Sequence, residues 1–387
     1  MSLIYLDNAA STKVDGSVVR AMEPYFLEKY GNASSVHEKG EEAKRALERS
    51  RKIIAQSINA KPDEIIFTSG GTESNNFAIK GLAFSNRNKK HIITSKIEHD
   101  CVLNACKWLE GGGWEITYLD VDEEGFINLE ELKKTIREDT LVVSIIHGNN
   151  EIGTIQDIES IGKICKEKRI LFHSDACQSY TKIKIDVKKQ NINLLTLNAH
   201  KIHGPKGVGA LYIKKGTRIT PLTHGGGHEQ GLRSGTENIS GIVGFATASK
   251  LLKRRDREGM KKLRDKLIKG LEEIPGSKLN GAREKRLCNN VNFIFEGVEG
   301  EAVGAYLQAE GICSSSGSAC SSKSLEPSHV LMAIGLDREK SHGSLRLSLS
   351  KYTTEKEIDK VIEVMPKIIK KLRKVSTFDK ITDKLGR

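Results

Sequence analysis

Long apolar runs are missing from this sequence. The longest, LVVSII at Leu141 to Ile146, has the length of a strand. That is far below the roughly 18 residues a membrane-spanning helix needs. The N-terminus, MSLIYLDNAAS, lacks the charged start and long apolar core of a secretory signal, so a cytoplasmic location is expected. Aromatic residues make up only 5% of the chain, which leaves the core to aliphatic side chains. Nor are aromatics interleaved with basic residues as in single-strand nucleic-acid binders. The seven cysteines, spread from Cys101 to Cys320, include no CxxC pair and no paired zinc spacing. An odd count without a secretory signal argues against a disulfide framework. Cys165 and Cys288 sit in or beside apolar patterns and are expected to pack as small hydrophobes.

What is present fits a soluble globular protein. The chain has 387 residues, 37% of them hydrophobic and 29% charged. This is enough for two domains, or a large domain with a smaller partner. The net charge is +12. Such a surface serves solubility or attracts acidic proteins, anionic cofactors or nucleic acid, and charge alone leaves these open.

Helical spacing of Ala43, Ala46, Leu47, Ile53, Ile54 and Ile58 predicts an amphipathic helix from His37 to Ile58. After it come the strand-like runs EIIFTS, HIITS, EITYL, TLVVSII and RILFHSD, most of them separated by helical or charged stretches. This alternation predicts a mostly parallel sheet with crossover helices, its chemistry at the carboxyl ends of the strands. Two more strands flank the Gly-Pro turn of NLLTLNAHKIHGPKGVGALYI. Beyond a boundary near Lys250 the strands are sparser, NNVNFIF and SLRLSL, and a helix from about Thr354 to Val375 closes the pattern.

Three strand ends carry candidate chemistry. TSGGTESNN, Thr68 to Asn76, ends a strand in two glycines before a helix expected to begin at about Thr72. Free N–H groups there can bind an anion, although a glycine turn can equally be a plain cap. HSDACQS puts Asp175 just past a strand, where it could pair with a protonated ring nitrogen or cap a turn. NAHKIHGPKG puts Lys201 after a strand between His200 and His203; it reads as a surface lysine or as a nucleophilic amine. Taken in this order on a parallel sheet, the three match the parts of a pyridoxal phosphate site. SSSGSACSS, Ser314 to Ser322, holds Cys320 among small and polar residues where no core could form around it. From that stretch alone Cys320 is either an incidental surface thiol or a nucleophile on a mobile loop.

Ordered motifs from end to end resemble the cysteine desulfurases of the NifS/IscS type, within the class V aminotransferase-like family. They are YLDNAAST, GNASSVH, TSGGTESNN, IEHD, NNEIGTIQ, HSDACQS, AHKIHGPKG, HGGGHEQGLRSGTEN, SSSGSACSSKSLEPSHVL and SLRLSL. The resemblance implies an α/β fold of the pyridoxal phosphate transferase type (type I aminotransferase-like). A large domain with a parallel-dominated mixed sheet is expected over 12–250. A smaller α+β domain is expected from 1–11 and 251–387, carrying the Cys320 loop. The implied cofactor is pyridoxal 5'-phosphate, linked through Lys201. His99 stacks on its ring and can move protons, and Asp175 pairs with the ring nitrogen. Asn150 and Gln178 lie near the ring hydroxyl. Gly71, Thr72 and His200 hold the phosphate, with Thr236 from the other subunit of a homodimer. Asn198 stands where many relatives carry serine; its amide can still donate to the phosphate. Arg346 grips the substrate carboxylate, with Asn32 close by.

By the same resemblance L-cysteine becomes L-alanine. Cys320, as thiolate, takes the sulfur as a persulfide for iron–sulfur cluster assembly and possibly tRNA thiolation. No metal is expected in the free enzyme, though Cys320 could ligate an iron–sulfur cluster in a complex with a scaffold protein. No membrane partner is expected, and direct nucleic-acid binding is not favoured. A selenocysteine lyase or class V aminotransferase on the same scaffold, and a non-catalytic scaffold or RNA-associated protein, are the competing readings. The basic stretch PKIIKKLRK, Pro366 to Lys374, is either a solvated helix face or a docking edge for the sulfur acceptor.

Overall fold

The computed structural model describes residues 3–86, 88–316 and 327–375. Thirteen strands form among them. In chain order they are β1 (Ile4–Tyr5), β2 (Ile65–Thr68), β3 (His91–Ser95), β4 (Glu115–Leu119), β5 (Thr140–Ser144), β6 (Leu171–Asp175), β7 (Leu194–Asn198), β8 (Gly209–Ile213), β9 (Ser277–Leu279), β10 (Asn290–Phe295), β11 (Ile312–Cys313), β12 (Ser315–Ser316) and β13 (Ser344–Ser348). Seven of them make one sheet in the order β2-β8-β7-β6-β5-β3-β4. Only β8 runs against its neighbours β2 and β7; every other pair is parallel.

Burial explains why these strands read as continuous runs. Every residue of β2, β3, β5, β7 and β8 is buried, as expected when helices cover both faces of a sheet. Ile54, Ile58, Val143, Phe172 and Phe245 fill one face. Phe77, Ile79, Leu82, Ile92 and Val102 fill the other. The core is therefore mostly aliphatic, as the low aromatic content requires. The helix predicted over His37–Ile58 forms over Glu38–Ser57 and buries Ala43, Ala46, Leu47 and Ile54 on one face.

A four-stranded antiparallel sheet follows, in the order β12-β13-β10-β9. The helices Arg254–Glu272, Gly300–Ala309 and Glu355–Val375 cover it through Leu267, Leu271, Val303, Val361 and Met365. The N-terminal strand β1 belongs with these later elements, pairing in parallel with β11. From there the chain crosses to the large sheet. Thr12 Oγ1 donates to the His200 carbonyl at 2.8 Å and accepts from the His203 N–H at 2.8 Å. Among the described residues no helix is long and apolar enough to cross a membrane.

Candidate active site

Five loops at the carboxyl edge of the large sheet converge on one site. After β2 the chain passes through Gly70 at φ 155° and ψ −173°, a region essentially closed to residues with a Cβ. The helix Gly71–Ser85 then begins, one residue earlier than Thr72. A Cβ on Gly71 would lie 2.6 Å from Cys177 Sγ, whereas beside Gly70 nothing lies within 4 Å. A glycine-lined space therefore opens at a helix start whose first N–H groups have no intrahelical partner. This is a cradle for an anion. Asn198, the last residue of β7, is buried beside it, and its Oδ1 has no hydrogen-bond partner.

Asp175 is the last residue of β6 itself rather than the residue after it. Its Oδ1 accepts from the Cys177 N–H at 2.8 Å and its Oδ2 from Asn75 Nδ2 at 2.6 Å. Both oxygens are thus held before any ligand arrives. His99 caps the helix Asp100–Glu110, its Nδ1 accepting from the Cys101 N–H at 3.2 Å. Burial, followed by the positive charge of Lys201, lowers its proton affinity below the ordinary imidazole value; Asp175 acts in the opposite direction. The ring is therefore neutral at pH 7, and Nε2 carries its proton because Nδ1 accepts. Lys201 follows β7 and is half-buried. Burial and then the charges of Lys201, Lys206 and Lys182 push its neighbour His200 down to about 4.

Arg346, in β13, is a buried guanidinium that ties the small sheet to the loop after β5. It donates to the Asn150 carbonyl at 3.1 Å and pairs with Asp7 Oδ1 at 3.0 Å. Its Nη2 also reaches Ser315 Oγ at 3.3 Å, while Nε is buried without a partner. The side chains of Asn150 and Gln178 are buried nearby in the chain's fold, and Gln178 Nε2 donates to the Ala9 carbonyl at 2.9 Å.

The remaining predicted residues stand apart. Asn32 is exposed and caps its own turn, accepting from the Ser34 N–H at 2.9 Å. No hydrogen bond among the described residues ties it to Arg346. Thr236 is exposed. Cys320 lies outside the described residues. The described residues on either side of its segment do reach the site. Ser315 contacts Arg346, Ser328 Oγ donates to Glu151 Oε2 at 2.5 Å, and His329 Nε2 lies 2.9 Å from the Glu98 carbonyl. Cys165 is fully buried, as expected, whereas Cys288 keeps partial exposure.

Some partners carried no sequence signal. Asn75 lies 100 positions from the aspartate it holds. Glu98 is fully buried, accepting from Ser95 Oγ at 2.6 Å and the Ile146 N–H at 2.8 Å. Burial, and secondarily the charge of Asp175, pushes its carboxyl up to about 8 despite those two bonds. Only the partners brought in by the fold could reveal either residue.

The donor set suits pyridoxal phosphate: a glycine cradle at a helix start for the phosphate, a carboxylate with both oxygens fixed, and a strand-end lysine. A family model described as aminotransferase class-V matches residues 4–361. The chain is 54% identical over 377 residues to the cysteine desulfurase IscS of Methanosarcina thermophila, covering 96% of this chain and 93% of that protein. It is 51% identical over 380 residues to the cysteine desulfurase IscS of Dictyoglomus turgidum, covering 97% and 96%. Among solved structures, a NifS-like protein superposes with a TM-score of 0.90 at 40% identity, covering 96% of this chain and 100% of that one. A structure described as SspA in complex with cysteine superposes at 0.82 with 40% identity, covering 91% and 100%.

Proposed function

Since the chain belongs to the class-V aminotransferase family, as a pyridoxal phosphate-dependent cysteine desulfurase, we propose how its own residues divide that work. Pyridoxal phosphate, when bound, supplies an electron sink for the Cα of an amino acid. Lys201 holds the cofactor covalently, and Asp175 pairs with its ring nitrogen. His99 would stack against the ring, and Asn150 and Gln178 would hold its hydroxyl. Gly71, Thr72, Asn198 and His200 receive the phosphate, joined by Thr236 of a second subunit. Arg346 takes the carboxylate of L-cysteine; its unpartnered Nε leaves a donor for it. Asn32 assists there.

Lys201 Nζ is the group available to take the Cα proton, while His99, with its proton on Nε2, is placed to donate one. Cys320 then attacks the substrate sulfur as thiolate. The Sγ–S bond forms, the substrate C–S bond breaks, and its electron pair stays on the carbon that leaves as L-alanine. Sulfur held on Cys320 passes to an iron–sulfur scaffold protein. The working form is a cytoplasmic homodimer. Each chain divides into a large domain over 12–250 and a small one from 1–11 and 251–387, since β1 pairs with β11.

The observation that carries this reading is that Asp175, His99 and Lys201, at the carboxyl ends of β6, β3 and β7, lie close enough for the charges of Asp175 and Lys201 to act on His99, while the buried Arg346 bonds to the loop after β5. Incubation with L-cysteine and an excess of a dithiol reductant, which reduces the persulfide, should release equal amounts of alanine and sulfide, with L-selenocysteine run alongside. Cys320→Ser should bind cofactor and cysteine normally yet form no persulfide on alkylation and mass mapping. A persulfide on Cys101 or Cys177 in that variant would overturn the role of Cys320.

A further inference from the structure

Asn75 touches, directly or through one neighbour, both Asp175 and His99. It lies in the second turn of the helix Gly71–Ser85, whose start lines the anion cradle, and it is fully buried. Its Nδ2 donates to Asp175 Oδ2 at 2.6 Å and to Cys101 Sγ at 3.1 Å. Cys101 Sγ in turn lies 3.1 Å from His99 Nδ1. Four side chains thus form one connected series, Asp175, Asn75, Cys101 and His99.

The protons give that series a direction. A carboxylate only accepts, so the amide must turn its NH2 group to Asp175; the reverse orientation would set oxygen against oxygen. The amide has two N–H groups, and the carboxylate and the sulfur take one each. Its Oδ1 is left buried and without a partner among the described residues. Buried acceptors are normally satisfied, so the fold favours the two donor contacts over that acceptor. Since the Cys101 sulfur accepts from Asn75, its own proton points to His99 Nδ1. Burial, and next the charge of Asp175, pushes this thiol up to about 12, so the proton stays on the sulfur. Nδ1 therefore accepts twice, from the Cys101 N–H at 3.2 Å and from the thiol.

Resting on the reading of Asp175 and His99 as the groups that meet the cofactor ring, we propose that Asn75 is a positioning residue for both: it holds the Asp175 carboxylate directly and the His99 ring through Cys101. With Oδ1 on the Cys177 N–H and Oδ2 on Asn75, the carboxylate is fixed against rotation. The thiol holds the His99 ring in one orientation, with the proton on Nε2. Because Asn75 stands on the helix that begins at the cradle, one rigid element sets the anion-binding end and the ring end of the site together.

The first measurement needs no cofactor. The S–H stretch of Cys101, isolated in apoprotein as the infrared difference between the parent and Cys101→Ser, should lie at the lowered frequency of a donating thiol. On a His99→Ala background it should rise to that of a free thiol. A free-thiol frequency in the parent, or a band unmoved by loss of the ring, would overturn the proposal. The second measurement is the rate at which the first equivalent of alanine appears in holoenzyme, per bound cofactor. Asn75→Leu keeps the volume and loses both donors. It should slow that rate about tenfold or more, the effect of losing one hydrogen bond to a charged group. The half-saturating cysteine concentration should stay near the parent's, because Arg346 is untouched. Cys101→Ala should slow the rate severalfold, and Cys101→Ser, which keeps a donor, should recover most of that loss. The parent's rate in Asn75→Leu, or a serine variant as slow as the alanine one, would overturn the proposal. Should Asn75→Leu fail to fold, Asn75→Ala is read in its place with the same expectations. Failure of the underlying reading looks different: Asp175→Ala or His99→Ala with the parent's rate would remove those groups from the chemistry while leaving the infrared result of the parent as it stands.

Discussion

Replacing Glu98 by glutamine should reverse its effect on stability between acid and alkaline pH. The carboxyl is fully buried; Oε1 accepts both available hydrogen bonds and Oε2 has no partner. In the unfolded chain it ionises near the ordinary value of 4.5, whereas in the fold it holds its proton to about 8. Between those values the folded state binds a proton that the unfolded state has released, so stability falls as pH rises. The slope is about 1.4 kcal/mol per pH unit at most, which amounts to roughly 4 kcal/mol lost by the upper end of the window. Glutamine keeps an Oε1 acceptor for Ser95 and Ile146 and carries no charge at any pH. Its Nε2 would occupy the place where Oε2 has no partner, costing about 1–3 kcal/mol. The variant should therefore be less stable than the parent near pH 5 and more stable near pH 8, by about 1–3 kcal/mol at the alkaline end. Urea unfolding at both pH values, with the slope on denaturant compared, reads this directly. The same parent-to-variant difference at both pH values would refute the argument, since Glu98 would then ionise alike in both states.

Three further outcomes are expected. Gly71→Ala puts a Cβ 2.6 Å from Cys177 Sγ, well inside an ordinary contact, and should cost about 1–3 kcal/mol; adding Cys177→Ala should restore most of that loss in apoprotein unfolding. A double variant as unstable as Gly71→Ala would mean that the sulfur is not the obstacle. Arg346→Lys loses the forked contacts to the Asn150 carbonyl and Asp7. It should raise KM for cysteine about tenfold or more while leaving the cofactor spectrum unchanged. Lys370 and Lys374 are exposed on the helix Glu355–Val375. Lys370→Glu with Lys374→Glu should slow sulfur transfer to an acidic acceptor at low salt, and leave desulfuration with a small thiol intact. Equal loss of both rates would make the segment structural.

The large sheet was legible because its strands are buried on both faces. HIITS, TLVVS and LLTLN have no polar side to confuse with a helix, and each ends where a loop carries a chemically capable residue. Asp175 and Lys201 could be read from that placement. Asn75 could not, because its tie to Asp175 joins a helix to a strand 100 positions away. Lys182 looks in sequence like any solvated lysine, yet in the fold its Nζ donates to the Gln178 carbonyl at 2.8 Å. The two-residue strands β1, β11 and β12 have no periodicity to find, and exist only because partners lie alongside. Cys288 sits beside apolar residues in sequence, yet the fold leaves it partly exposed.

The pairing of β1 with β11 also sets an order of events during synthesis. Ile4 and Tyr5 leave the ribosome long before Ile312 and Cys313 exist. Asp7 must wait still longer for Arg346 and Ser348. The large sheet, whose strands all lie between Ile65 and Ile213, can assemble meanwhile, since domains tend to fold as units while the chain emerges. The contacts of Arg346 cannot. A nascent or truncated chain can therefore present Asp175 and Lys201 without Arg346. On the proposed role of Arg346, the grip on an amino acid arises only when translation is nearly complete.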